Sequence, residues 1–265
     1  MFEFNYVKAK SLVEAQALVK AHPDAKLLSG GMTLIPTLKQ RLAQPSHLVD
    51  IGGLPELRGV EVKGGQLVIG AATRHAEVAS SAIVKKALPA LAALADQIGD
   101  PQVRNRGTLG GWVANNDPAA DYPAALLALD ARVVTSKREI AVAEFFQGMF
   151  ATALDEGEIV VRIVFNIPKR AAYEKFPHPA SGYAMAGVFV AEGATGLRVA
   201  VTGAASGVFR WLEAEQALTK KLSPEVLDGL PLDTSNMNED IHATSEYRAN
   251  LARVMAKRAV KKLLA

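Results

Sequence analysis

Two stretches of the chain combine adjacent glycines, neighbouring hydroxyl residues and an apolar run at helical spacing: AKLLSGGMTLIPTLKQRL, residues 25–42, and GTLGGWVANNDPAADYPAALLALDA, residues 107–131. A glycine pair lets the backbone take positive φ and lets a ligand approach the main chain, and the N–H groups at a following helix start attract phosphate. Two such loops could hold one pyrophosphate from two sides. Either pair alone is equally well a turn, and Gly52-Gly53 and Gly64-Gly65 are read as turns only. No G-x-G-x-x-G follows a strand and no G-x-x-x-x-G-K-[ST] occurs, which disfavours a Rossmann dinucleotide fold and a P-loop.

Other chemistries are restricted by composition. Cysteine is absent, which excludes disulfides, thiolate nucleophiles and any iron–sulfur cluster held by this chain's own thiolates. The histidines His22, His47, His75, His178 and His242 are scattered without an H-x-x-x-H pattern, so they are read as surface or capping residues and no metal site is expected. Lys and Arg number 30 against 27 Asp and Glu, spread along the chain, which gives no nucleic-acid footprint. The opening MFEFNYVKAK has no basic head followed by an apolar run, and no stretch approaches the roughly 20 apolar residues of a membrane span. The expectation is a soluble cytoplasmic protein.

The elements around the glycine pairs follow from pattern. Ser11 and Glu14 predict a capping box opening a helix to Ala21, and the apolar AKLL predicts a strand delivered into Gly30-Gly31. Leu34, Ile35, Leu38 and Leu42 predict a helix starting near Gly31–Thr33, where Pro36 falls in the first turn. Lys63-Gly64-Gly65-Gln66 predicts a hairpin turn between Val60–Val62 and Leu67–Ile69. Residues 75–98 read as two helices divided at Ser80-Ser81. Asp117 or Asp121 is placed to cap a helix bearing Ala124, Leu126, Leu127 and Leu129, so the second glycine pair also precedes a helix. ARVVTS and EIVVRIVFNIP read as strands, Val188–Ala191 and Leu197–Thr202 as a hairpin, and Thr244–Leu264 as one long helix.

With these residues in view, AKLLSGGMTLIPTLKQRL resembles the first flavin-binding motif of the FAD-binding middle subunits of the molybdenum hydroxylases, the class of carbon monoxide dehydrogenase and xanthine dehydrogenase. VRNRGTLGGWVANNDPAADYPAALLALDA resembles the second. The likeness continues through DIGGLPELRGV, IGAATRHAEV, YEKFPHPASGYAMAGV and DIHATSEYRANLARVMAKRAV, in order over nearly the whole chain.

The resemblance implies an α+β fold: a two-part FAD-binding domain of the vanillyl-alcohol-oxidase type, with subdomains at residues 1–55 and 56–172, followed by a small α+β carboxy-terminal domain at 173–265. It implies that the backbone of Leu28, Ser29, Gly30, Gly31, Met32, Thr33 and Leu34, with the Thr33 hydroxyl, holds the FAD pyrophosphate. Thr108, Leu109, Gly110 and Gly111 would close on it from the opposite side. Asp121 matches an acidic position on the ribose and adenine side, Asn115 a nearby contact and Val160 an apolar position beside the flavin. Lys175 matches a lysine near the isoalloxazine ring, and Tyr183 an aromatic over it. The family often carries Asn or Ser where this chain has Trp112, and a small or polar residue where it has Met32; Trp112 is read as a contact to FAD or to a partner subunit.

The function implied is electron transfer without a dedicated acid, base or nucleophile among the side chains. Electrons would arrive from two [2Fe-2S] clusters in a small subunit, themselves fed by a molybdenum cofactor in a large subunit, and leave from FAD to NAD, quinone or oxygen. The assembly implied is a dimer of heterotrimers. Two other readings stand beside it: a self-contained flavin oxidoreductase on the same cofactor fold, and a nonflavin scaffold subunit altered at Trp112 and Met32.

Overall fold

The computed structural model describes residues 1–265. Its amino-terminal unit is a parallel sheet in which His47–Asp50 lies between Asn5–Lys8 and Lys26–Leu28. Helix Leu12–Ala21 crosses it, burying Ala15 and Val19 in a core with Val49, Ile51, Leu54 and Leu57. The Ser11 hydroxyl accepts from the Glu14 amide, and the Glu14 carboxylate accepts from Lys10 N–H at 2.6 Å, so the box closes one residue earlier than its sequence pattern predicts. The strand Lys26–Leu28 runs into Gly30-Gly31 as expected. The helix behind the pair is short, Leu34–Lys39, with Pro36 in its first turn. Arg41 at φ +59° ends it, leaving Leu42 outside the helix and exposed rather than on its apolar face.

The second unit is an antiparallel sheet in the order Val60–Lys63, Gln66–Gly70, Val160–Asn166, Arg132–Thr135, Glu139–Ala141. Gly64 and Gly65 both take positive φ, the conformation that a two-residue hairpin turn demands. Residues 75–98 form three helices, not two: His75–Ser80, Ala82–Ala87 and Pro89–Asp96. Ser81 caps the second, as the serine pair suggests. The extra break falls at Leu88, whose φ of −150° and ψ of 69° are not helical, ahead of Pro89, whose ring has no N–H to continue a helix. Helices Pro101–Arg106, Leu109–Asn115 and Tyr122–Ala128 complete the layer.

The third sheet is Arg170–Pro177, Ala184–Gly193, Gly196–Thr202 and Phe209–Arg210, all antiparallel. Its central strand is buried from Ala184 to Ala191 because both faces are covered. Helix Ser245–Leu264, capped by Thr244, packs on one face over Val188, Val190, Val199 and Val201. Helix Tyr122–Ala128 packs on the other, where Tyr173, Phe189 and Ala200 join the core of the second unit. Strand Arg170–Pro177 runs straight through residue 172, so the seam between the second and third units falls inside a strand whose alternate side chains serve two cores. Within the third unit Arg248, on the long helix, is buried; it donates to the carbonyls of Met185 and Gly203 and pairs with Asp240 at 2.7 Å.

Candidate binding cleft between two glycine loops

The first glycine loop turns because Gly31 takes φ +74°, with Leu28 and Ile35 packed where a side chain would stand. Its amides are the unusual feature: the N–H groups of Gly30, Gly31, Met32, Thr33 and Leu34 find no acceptor in the chain. Backbone donors in a folded protein are rarely left unpaired, and successive ones on a tight loop form an anion-binding nest. These residues line a cleft of about 500 Å³ whose opposite wall carries Thr108, Gly110, Gly111, Trp112 and Asn115. Leu28, Ser29 and Val160 complete the part of the lining that the sequence points to.

The second loop differs from expectation. Its glycine pair lies within the first turn of helix Leu109–Asn115, not ahead of it, with Thr108 as the cap. The amides of Leu109 and Gly110 donate inward to the carbonyls of Thr73 and Ala71, so they are not available to a ligand. Leu109 itself is a core residue. The Gly111 amide donates to the Thr108 hydroxyl oxygen at 3.3 Å, so what this loop presents to the cleft is the Thr108 hydroxyl and the bare glycine backbone. The glycines serve close packing: a Cβ on Gly110 would collide with Ala71, and one on Gly30 with the carbonyl of Arg106, just before the second loop.

Asp121, Lys175 and Tyr183 stand outside the cleft lining. Asp121 and Lys175 form a buried ion pair at 2.8 Å, and Asp121 also accepts from the Tyr173 hydroxyl at 2.7 Å. Asp121 sits at the cap position of helix Tyr122–Ala128 but makes no capping bond; its oxygen is taken by these partners. Burial pushes its carboxyl upward, opposed by Lys175 and Tyr173. Lys175 Nζ also donates to the carbonyls of Gln97 and Gly182, each at 2.8 Å, so its three N–H bonds all have protein acceptors. No donor remains for a flavin ring. Tyr183 reaches the cleft only through Trp112, on which it stacks with ring centroids 5.4 Å apart and planes 11° from parallel.

Behind Trp112 lies His75, and here the expectation of a surface or capping histidine fails. The ring is fully buried, edge-on to Trp112 with centroids 5.0 Å apart, and Nδ1 is 3.3 Å from the Tyr122 hydroxyl. Burial, with a smaller contribution from the Arg104 charge, lowers its pKa to about 3, so the ring is neutral. The Trp112 indole N–H is buried beside it with no partner in the chain.

The cleft also includes residues that pattern reading misses, among them Lys26, Thr37 and Glu158. Lys26 opens the strand leading to the glycine pair and places a cation at the cleft; only its spacing from Gly30 could have signalled it. Glu158 is held by Arg138, Thr135 and the Asp155 amide, with its carboxyl kept below the usual range despite burial. The unpaired amides, the Thr33 and Thr108 hydroxyls and the close glycine backbones fit the pyrophosphate of a dinucleotide such as FAD, and the apolar wall from Val160 to Trp112 fits a planar ring.

Comparison with known proteins matches residues 2–169 to the FAD binding domain in molybdopterin dehydrogenase. The chain is 38% identical to the carbon monoxide dehydrogenase medium chain of Hydrogenophaga pseudoflava over 97% of its own length and 96% of the relative's. It is 34% identical to the glyceraldehyde dehydrogenase medium chain of Sulfolobus acidocaldarius, covering 98% of both. Among solved structures, a chain of the H. pseudoflava carbon monoxide dehydrogenase lacking the Mo-pyranopterin moiety of its cofactor superposes with a TM-score of 0.90 at 37% identity, covering 99% of this chain and 98% of that one.

Proposed function

Because the chain belongs to the family of FAD-binding domains of the molybdopterin dehydrogenases, we propose that it is the electron-transfer subunit of a molybdenum hydroxylase, taking electrons from iron–sulfur clusters on a partner and passing them to an external acceptor. The observation that carries the reading is the row of unpaired amides from Gly30 to Leu34 facing Thr108 and Gly111 across one cleft. In this reading those amides and the Thr33 hydroxyl hold the pyrophosphate, the Thr108 hydroxyl and the close glycine backbone of Gly110 and Gly111 approach it from the far wall, and Lys26 offsets its charge. Asn115, Met32, Leu28 and Val160 bound the rest of the cofactor, and Trp112 closes the apolar end. Asp121 and Lys175 support that end from behind. FAD supplies a redox centre that accepts electrons singly and releases one or two.

The chain's own residues bind and orient; no side chain in the cleft is arranged as a nucleophile with a base. Iron–sulfur and molybdenum centres are assigned to partner subunits. The absence of cysteine supports this division, as do relatives named as medium chains. The acceptor is NAD, quinone or oxygen, the assembly a dimer of heterotrimers and the location cytoplasmic; no helix is long and apolar enough to cross a membrane.

The test is to co-express the chain with its chromosomal neighbours, purify it, and record the absorption spectrum and the mass of the released cofactor. Released FAD with co-purifying iron–sulfur and molybdenum subunits is the expected result. A colourless chain that purifies alone would overturn the reading.

A further inference from the structure

Lys175 is spent entirely within the protein, and its three acceptors lie on three separate segments. Asp121 opens helix Tyr122–Ala128, Gln97 ends helix Pro89–Asp96, and Gly182 belongs to the turn that carries Tyr183. The turn is closed on itself, with His178 N–H donating to Tyr183 O and Gly182 N–H to His178 O. Moving Gly182 therefore moves Tyr183. The Tyr183 ring in turn lies flat on Trp112, the wall residue of the cleft. A buried ammonium with an acidic partner and two carbonyls is a costly arrangement unless every bond is kept, and here all are kept at 2.8 Å.

We propose that Lys175, with Asp121, is a positioning lock: it fixes the Tyr183 turn and thereby holds Trp112 as the wall at the apolar end of the cleft, without itself touching the cofactor. The role rests on the reading that this cleft takes FAD. It differs from a lysine acting on the flavin ring, because the effect of Lys175 passes through Tyr183 and disappears when that ring is gone. Gly182 offers an independent handle on the same turn. It takes φ +70°, so an alanine there strains the turn while leaving the Lys175 and Asp121 side chains in place.

The full chain labelled with 5-fluorotryptophan gives a direct readout, since its two tryptophans, Trp112 and Trp211, provide a reporter and a folding control. Lys175→Met and Gly182→Ala are each expected to shift or broaden the Trp112 fluorine resonance while Trp211 stays in place, and to weaken FAD retention by about tenfold. In a Tyr183→Leu background, Lys175→Met is expected to add nothing to either readout. The proposal is overturned if Lys175→Met weakens FAD equally with and without Tyr183 while leaving Trp112 unmoved, because the lysine would then act on the cofactor directly. Should Lys175→Met lose the Trp211 control resonance, Gly182→Ala decides: an unmoved Trp112 overturns the lock. If the variants show these shifts but the parent chain retains no FAD, the lock stands and the cofactor reading is removed instead.

Discussion

The hydroxyls of Ser29 and Thr108 meet at 3.0 Å across 79 residues of sequence, joining the two glycine loops at the mouth of the cleft. The bond is made between loops whose backbones already touch, since Gly30 packs on the carbonyl of Arg106 and the α-carbon of Gly107. The cradle is therefore assembled by the fold, which lowers the ordering cost of binding a flexible dinucleotide.

Gly30 should tolerate no side chain. Gly30→Ala drives a methyl into the Arg106 carbonyl, forcing the loops apart, and is expected to weaken FAD retention by at least about tenfold with a stability loss of about 1–3 kcal/mol. Gly65→Ala is the control: its φ of +75° costs about 1 kcal/mol, but nothing lies near its Cβ and the cleft is remote. Equilibrium dialysis of FAD with urea melts of both variants checks this. Equal FAD retention in the two would mean the loop contact does not shape the site.

Thr108 does two tasks with one oxygen, capping the Gly111 amide and bonding Ser29. Thr108→Val keeps the shape and removes both bonds. It is expected to cost about 1 kcal/mol of stability and to release FAD several times faster, whereas Thr108→Ser restores both. Stopped-flow dilution of the flavin complex measures the rates, and a valine variant that matches the parent would discount the hydroxyl.

How much of this was legible in sequence depended on how local the cause is. The first loop could be read because its determinants are adjacent: an apolar strand, two glycines and a proline placed where only a first turn accepts one. The hairpin at Gly64-Gly65 and the long helix beginning at Thr244 were legible for the same reason. The second loop was half legible. Its glycines were evident, but the carbonyls of Ala71 and Thr73 that take the Gly110 and Leu109 amides come from a strand end far away in the chain. The pairing of Asp121 with Lys175, 54 residues apart, is likewise set by the third sheet packing on helix Tyr122–Ala128, and no local pattern encodes it. His75 escaped because its burial is decided by Trp112 and Tyr122, which reach it from other helices.

His75 makes stability depend on pH. Its folded pKa is depressed from an ordinary 6.5 to about 3, so the unfolded chain takes up a proton that the folded one refuses. The contribution is fully present above pH 6.5 and is lost as pH falls toward 3, the loss amounting to about 2 kcal/mol by pH 5. His75→Asn can keep a bond to the Tyr122 hydroxyl and cannot titrate. Urea melts at pH 7 and pH 5 are therefore expected to show the parent losing about 2 kcal/mol more than the variant. Parallel losses would mean that the ring is accessible to protons in the native state.

Trp112 separates binding from stability. Its indole N–H is buried with no acceptor in the chain, an arrangement that costs about 1–3 kcal/mol while it lasts. Trp112→Phe removes that donor and keeps an aromatic plate between Tyr183 and His75, so the lost ring area and the removed unpaired group offset one another. The FAD-free variant is expected to melt within about 1 kcal/mol of the parent. If the bound cofactor supplies the missing acceptor, the same variant should hold FAD about tenfold more weakly, because only the parent gains a hydrogen bond on binding. Trp112→Ser, by contrast, removes the plate and should lose about 3 kcal/mol of stability together with FAD. Calorimetric melts of the FAD-free chains beside FAD titrations resolve the two effects. A phenylalanine variant that binds FAD as the parent does would assign the indole to packing alone, and the tryptophan at this position would then be a wall and not a ligand.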